Sequence, residues 1–218
     1  MKHLLTVRFP HDRNCFKTSI AYPVHEEVGT FSLNDGKSCG GCKKQFPKRV
    51  TCDESVLTVR STKPVEVLNF ERFISQFDRT SAEIKERCDY LLYDNDENSR
   101  KIAFCELTCS ETKYVEPNES NEYREGKRAK AYNQMLKSLE ALLGVSLLNT
   151  HILTFQKKHC VFGWREPIAS GQMDAAAASM NAFGITPSST SELLYTSVFV
   201  VGHGFTFIQV KHPALYEW

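Results

Sequence analysis

Residues 88–109 decide the fold: Cys88-Asp-Tyr-Leu-Leu-Tyr93, then Asp94-Asn-Asp-Glu-Asn-Ser99, then Lys101-Ile-Ala-Phe-Cys-Glu-Leu-Thr-Cys109. Two short apolar runs on either side of a polar turn predict a β-hairpin. Side chains alternate along a strand, so Ala103, Cys105, Leu107 and Cys109 share one face while Ile102, Phe104, Glu106 and Thr108 share the other. Glu106 is therefore set among apolar neighbours on a central strand. A carboxylate in such a place needs a cation, a metal ion or a set of hydrogen-bond donors.

Working outward, residues 65–86 predict one or two helices, with Val67, Phe70, Ile74 and Phe77 on one apolar face and Thr80 or Ser81 as a second start signal. Beyond the hairpin, residues 110–123 are polar, rich in Glu and Asn, and long for a connection; they are expected to form a mobile loop, with a lid as the alternative. Residues 124–143 give the strongest helix in the chain. Tyr132, Met135, Leu136, Leu139, Leu142 and Leu143 form its stripe, Gly144 stops it, and its first turns carry Arg124, Lys127, Arg128 and Lys130. Residues 148–155 are expected to return as a strand, followed by Lys157, Lys158 and His159. The coarse order is helix, strand, strand, helix, strand.

With that order, and with Asp89 opening one hairpin strand and Glu106 on the next, the chain resembles the PD-(D/E)XK nuclease superfamily over about residues 66–160. The resemblance implies a restriction-endonuclease-like mixed sheet flanked by helices, in which Asp89 and Glu106 hold Mg²⁺ or Mn²⁺. It also implies an auxiliary metal-binding carboxylate in the first helix, for which Glu71 is the candidate and Glu83 and Glu86 are the competitors. Such carboxylates suit a hard cation, which polarises a phosphate and lowers the pKa of an attacking water. The lysine of the superfamily pattern is replaced here by Thr108, which carries no charge. Either the cation comes from Lys113, or from Lys127, Arg128 and Lys130 at the helix start, or the site is inactive. The expected activity is hydrolysis of phosphodiester bonds in DNA. The alternatives are an inactive nuclease-like module that binds nucleic acid or a partner protein, within a defence or mobile-element system, and a zinc-stabilised interaction protein.

The N-terminal part, residues 1–65, has short β-branched or aromatic runs at 4–9, 29–33 and 55–60 and reads as an antiparallel β layer. It holds eleven Lys/Arg against six Asp/Glu. Cys39, Cys42 and Cys52 have partial zinc-site spacing with no diagnostic fourth ligand, so a zinc site competes with a glycine-rich turn bearing reduced thiols. Between Gly36 and Cys52 there is no acidic residue, and Lys43, Lys44, Lys48 and Arg49 form either a phosphate-contacting patch or a solvated loop.

The chain has 218 residues, 41% hydrophobic and 24% charged, with net charge +1, which predicts one globular domain and no bulk-charge attraction to polyanions. Its parts are 1–65, 66–163 and 164–218. In the last, residues 173–180 are a short helix by propensity, and residues 196–210 form a terminal hairpin extension turning at Gly202-His203-Gly204. No Gly-x-Ser-x-Gly, Gly-x-Gly-x-x-Gly or Walker-type loop occurs, which disfavours serine-hydrolase, dinucleotide and P-loop chemistry. With no membrane-length apolar run and no export signal, the expected location is the cytoplasm and the cysteines are expected to be reduced. The expected partners are nucleic acid, DNA first, or a partner protein, with a homodimer as a further candidate and no membrane.

Overall fold

The computed structural model describes residues 1–15, 17–35, 55–77, 84–96, 100–117, 125–166 and 202–218, with the backbone alone for 48–49 and 190–192. A π-helical turn, Leu4–Arg8, runs into α1 (Phe9–Asp12). Then follow β1 (Val24–Leu33), β2 (Lys48–Arg49), β3 (Leu57–Asn69), α2 (Phe70–Ser75), β4 (Tyr90–Tyr93) and β5 (Lys101–Cys109). The second half is α3 (Thr112–Val115), α4 (Gly126–Leu143), α5 (Ser146–Leu153), β6 (Lys157–Arg165), β7 (Thr190–Glu192), β8 (Thr206–Lys211) and β9 (Leu215–Glu217). The fold is α/β. Its open mixed sheet has the order β2-β1-β3-β4-β5-β6-β8-β7, with β9 also on β3.

The hairpin is the centre of that sheet. β4 pairs antiparallel with β5, from Tyr90 opposite Cys105 to Tyr93 opposite Ile102. β5 then pairs parallel with β6 along its whole length, and β6 with β8. Its faces divide as the alternation predicts. Ile102 and Phe104 enter one core with α2, α4 and α5, while Ala103, Cys105 and Leu107 enter a second core on the far face. Both faces are covered, which is why β5 reads as a nearly continuous apolar run.

The far-face cover is the N-terminal hairpin, expected as a β layer. β1 and β3 keep one register near β4 and another beyond it, because β3 has three residues, Thr62 to Pro64, where β1 has only Val28. Pro64 lacks an N–H, so it fits an irregularity that drops ladder bonds, and Gly29 meets the bend with φ +84°. Past the bend Phe31, Leu33, Leu57 and Val59 lie against Ala103, Cys105, Leu107 and Val161. The approach is close: a Cβ on Gly163 would stand 2.7 Å from Leu107 Cδ2 and 3.0 Å from Leu57 Cβ.

Four expectations change. The run 4–9 is helical, because Leu5 and Phe9, one helical turn apart, both enter the core. The helix expected from 65 begins only at Phe70: Val65 and Val67 belong to β3 and pair with Glu27 and His25, and the Asn69 side chain accepts the Arg72 N–H at 2.8 Å as the cap. Residues 146–153 form α5, not a strand; Leu148 and Ile152 are its buried i, i+4 pair, and the strand starts at Lys157. The C-terminal part is built into the main sheet. β8 is a parallel neighbour of β6, its antiparallel partner is β7, and β9 pairs parallel with β3. The expected helix at 173–180 and hairpin arm at 196–201 lie outside the described residues.

Among the described residues no helix is long and apolar enough to cross a membrane. The described cysteines 15, 88, 105, 109 and 160 are free thiols.

Candidate functional site

β3 and β5 run in the same direction, each antiparallel to β4, so the end of β3, the start of β4 and the end of β5 meet at one edge of the sheet. The parallel pairings bring the ends of β6 and β8 to that same edge. Carboxyl ends of strands are where α/β sheets leave room for ligands.

Asp89 is the junction there. Its carbonyl oxygen accepts the N–H of Phe70 at 2.9 Å and of Glu71 at 3.2 Å, docking the first turn of α2. Its carboxylate oxygen Oδ2 accepts the Leu107 N–H at 2.8 Å. The Asp89 side chain is thereby held at β5 immediately after Glu106, whose position is next in register beyond the Tyr90–Cys105 pair. Glu106 is 9% exposed and Asp89 is half-buried. The three carboxyl-bearing residues expected from sequence, Glu71, Asp89 and Glu106, thus come from three elements joined at one residue.

Their charge is felt locally. Burial pushes the Cys88 thiol well up, and the Glu106 and Asp89 charges add to that shift. Tyr90 is also raised by burial first, then by Asp89, Asp35 and Glu71. Asp35 is an addition the sequence did not suggest. It follows β1 far from the hairpin in sequence, and is brought in because the Tyr90 hydroxyl donates to the Asn34 carbonyl at 2.7 Å. Of the competitors for Glu71, Glu86 is exposed and Glu83 lies outside the described residues.

Two of the expected cations, Lys113 and Arg128, are engaged by carboxylates. Thr108 is half-buried on the Glu106 face, and Lys113 pairs with Glu111 at 2.7 Å. Arg128 is held in a fork by Glu116, at 2.7 and 2.9 Å. Helix α4 meets the segment ahead of β4 through Gln134 Nε2, which donates to the Arg87 carbonyl at 3.1 Å, and Ser138 Oγ, which accepts the Cys88 N–H at 2.8 Å. Toward its start it passes over β8, with the Tyr132 ring edge-on to Phe207 at 5.5 Å. Lys127 is half-buried and Lys130 exposed.

Cys39, Cys42, Cys52, Lys43 and Lys44 lie outside the described residues, and Lys48 and Arg49 appear only as backbone paired to Ser32 and Phe31. Among the described residues no three His, Cys, Asp or Glu side chains form a group able to hold a metal ion. Mg²⁺ needs less than that: one or two carboxylates suffice when water and phosphate oxygens complete its shell. Asp89 and Glu106 supply two hard oxygen donors, and a carboxylate oxygen that accepts one N–H keeps a second lone pair. Both are donors of the chemical kind such an ion takes.

No protein-family model matches the chain, and no curated protein or solved structure matches it.

Proposed function

We propose that the protein is a metal-dependent nuclease with a restriction-endonuclease-like core of the PD-(D/E)XK kind, hydrolysing phosphodiester bonds of DNA. The observation that carries this reading is the Asp89 junction: one residue docks the Glu71 turn through its carbonyl and sets its carboxylate at β5 beside Glu106. Asp89 and Glu106 would hold Mg²⁺ or Mn²⁺, with Glu71 as the auxiliary carboxylate. A divalent ion at such a pair supplies charge stabilisation at a phosphate and a more acidic water. The chain's own part is to orient. The Leu107 N–H fixes the Asp89 rotamer, and the β5 ladder fixes Glu106, so little reorganisation accompanies binding. The basic turn of α4, with Lys127 and Lys130, would contact the flanking phosphates.

A second reading rests on Thr108. With no charge at that position, the module would retain the fold and bind nucleic acid or a partner protein without cleaving. The zinc-stabilised interaction protein depends on cysteines outside the described residues.

The test is cleavage of supercoiled plasmid, linear duplex, single-stranded DNA and RNA with Mg²⁺ or Mn²⁺, comparing the native protein with Glu106→Ala. Cleavage of DNA that Glu106→Ala abolishes is the expected result. No cleavage of any substrate, or cleavage that survives Glu106→Ala, overturns the nuclease reading and leaves the binding module.

A further inference from the structure

One step past Glu106, the next residues on the same face of β5, β6 and β8 are Thr108, Trp164 and Lys211, paired in register. Trp164 belongs to the helix-side core, the side that Phe104, Glu106 and Thr108 face. Lys211 Nζ lies 4.5 Å from the centroid of the Trp164 ring. The Lys211 backbone is two strands from Thr108, about 10 Å at the usual spacing, and its ammonium lies over the indole of the intervening strand. The ring holds a cation by its π face and limits the freedom of a long side chain. The Trp164 indole N–H is buried and has no hydrogen-bond acceptor among the described residues, so an unmet donor lies under the ammonium.

We infer that Lys211, seated on Trp164, is the cation of this site and takes a phosphate oxygen next to the Asp89–Glu106 pair. The inference rests on the phosphodiester reading above for its neighbours, but the seat itself is an anion-binding feature of β5, β6 and β8. Lys211 has a resting partner that is easily exchanged. Glu166 lies 3.5 Å from Nζ, with both side chains about half exposed, and pairs of that kind contribute about 0–1 kcal/mol. Glu166 also accepts a hydrogen bond from Thr112. That bond first, and then the Lys211 charge, hold its carboxyl below the usual range. The other cations near this edge are less available: Lys113 is held by Glu111 at 2.7 Å and Arg128 by Glu116 in two contacts.

Lys211 was hidden in the sequence. It is more than a hundred residues from Glu106, and only two parallel pairings bring it to the row of Thr108.

The test is calorimetric titration with inorganic phosphate at constant ionic strength, and separately with Mn²⁺, on the native protein, Lys211→Met, Lys211→Arg and Glu106→Gln. Phosphate affinity is expected to fall about ten-fold or more in Lys211→Met, as loss of a charged hydrogen bond requires, and to be largely kept in Lys211→Arg. Mn²⁺ affinity is expected to be unchanged in Lys211→Met and lost in Glu106→Gln. If Lys211→Met fails to fold, Lys211→Gln carries the same comparison. Phosphate binding that is absent from the native protein, or equal in Lys211→Met, overturns the inference while leaving the Mn²⁺ result to judge the nuclease. Phosphate binding that needs Lys211, in a protein that neither binds Mn²⁺ nor cleaves DNA, sinks the nuclease and sustains the anion seat.

Discussion

The Asp89 carboxylate accepts the backbone N–H of Leu107 at 2.8 Å, tying the start of β4 to β5 one residue past Glu106. The same group is therefore both a fold contact and a candidate metal ligand, and the two roles separate by substitution. Asp89→Asn keeps an oxygen for the Leu107 N–H, whereas Asp89→Ala leaves that donor without its acceptor. Urea unfolding is expected to show a loss of about 1–3 kcal/mol for Ala and a clearly smaller one for Asn. Mn²⁺ affinity is expected to fall in both. Native-like Mn²⁺ binding by Asp89→Asn would remove Asp89 from the metal site.

Lys101 is buried on the far face of β5, with Nζ 4.4 Å from the Tyr216 ring centroid, 4.9 Å from that of Trp218, and donating to the Glu217 carbonyl at 2.7 Å. Burial pushes its amine down to about 8 from 10.5, with Lys157 adding to the shift. Between those values the unfolded chain holds a proton that the folded chain has released, so stability rises with pH across that window. Comparing urea midpoints at pH 7.5 and 10 (about the two ends of that window), the native protein should gain on Lys101→Met, whose residue 101 does not titrate. A parallel pH response in the two proteins would refute this.

His159 responds at the acid end. Its Nδ1 is 2.6 Å from the Tyr216 hydroxyl, and burial lowers its pKa to about 4 from 6.5, with Lys101 and Lys157 in support. The folded protein keeps the ring neutral where the unfolded chain has taken a proton, so stability falls as pH drops through that window. Melting curves at neutral pH and near pH 4.5 should show that His159→Asn narrows the acid loss by at least about 2–4 °C, the equivalent of 1 kcal/mol in a chain of this size. An undiminished acid loss in the variant would refute the assignment.

Two glycines are closed to a methyl group for different reasons. At Gly163 the obstruction is side chain, Leu107 Cδ2 at 2.7 Å and Leu57 Cβ at 3.0 Å. Gly163→Ala should cost about 1–3 kcal/mol by overpacking. Adding Leu107→Val, which trims the nearer obstruction, should return part of the loss. At Gly126 the obstruction is backbone, Val115 O at 2.5 Å, and φ is +77°. Gly126→Ala should cost at least as much, and trimming neighbouring side chains should not restore it. Denaturation of the single and double variants measures both, and additive losses for the Gly163 pair would count against the overpacking account.

The central hairpin and α4 were legible because their patterns are local. β5 is a nearly continuous apolar run bounded by a polar turn, and the Tyr132 to Leu143 stripe repeats at the helical period. The misread segments are short apolar runs in which both periods fit. Leu4 to Phe9 and Leu148 to Phe155 satisfy a strand template, yet i, i+4 burial at Leu5 and Phe9, and at Leu148 and Ile152, settled them as helix. Val67 fits a helical face with Phe70, Ile74 and Phe77, but pairing with His25 of β1 and Leu92 of β4 kept it in β3. In the candidate site, Asp89 and Glu106 could be found because Asp89 immediately precedes one strand of a hairpin and Glu106 lies on the adjacent one. Asp35 and Lys211 could not, since each depends on pairings made by distant segments.

Parallel pairing of β9 with the bent half of β3 joins Leu215 to Thr58 and Tyr216 to Val59. Contacts so remote in sequence are slow to form, because the chain must close a long loop before the contact repays the lost freedom. The core under the N-terminal hairpin includes Tyr216 and Val210 as well as Phe31 and Cys105. During synthesis that hairpin emerges before β8 and β9 and cannot finish burying its apolar side until they arrive. Until then Cys105 and the inner face of β5 remain open to the surroundings, which makes the interval before β9 docks the period of greatest exposure to aggregation and oxidation.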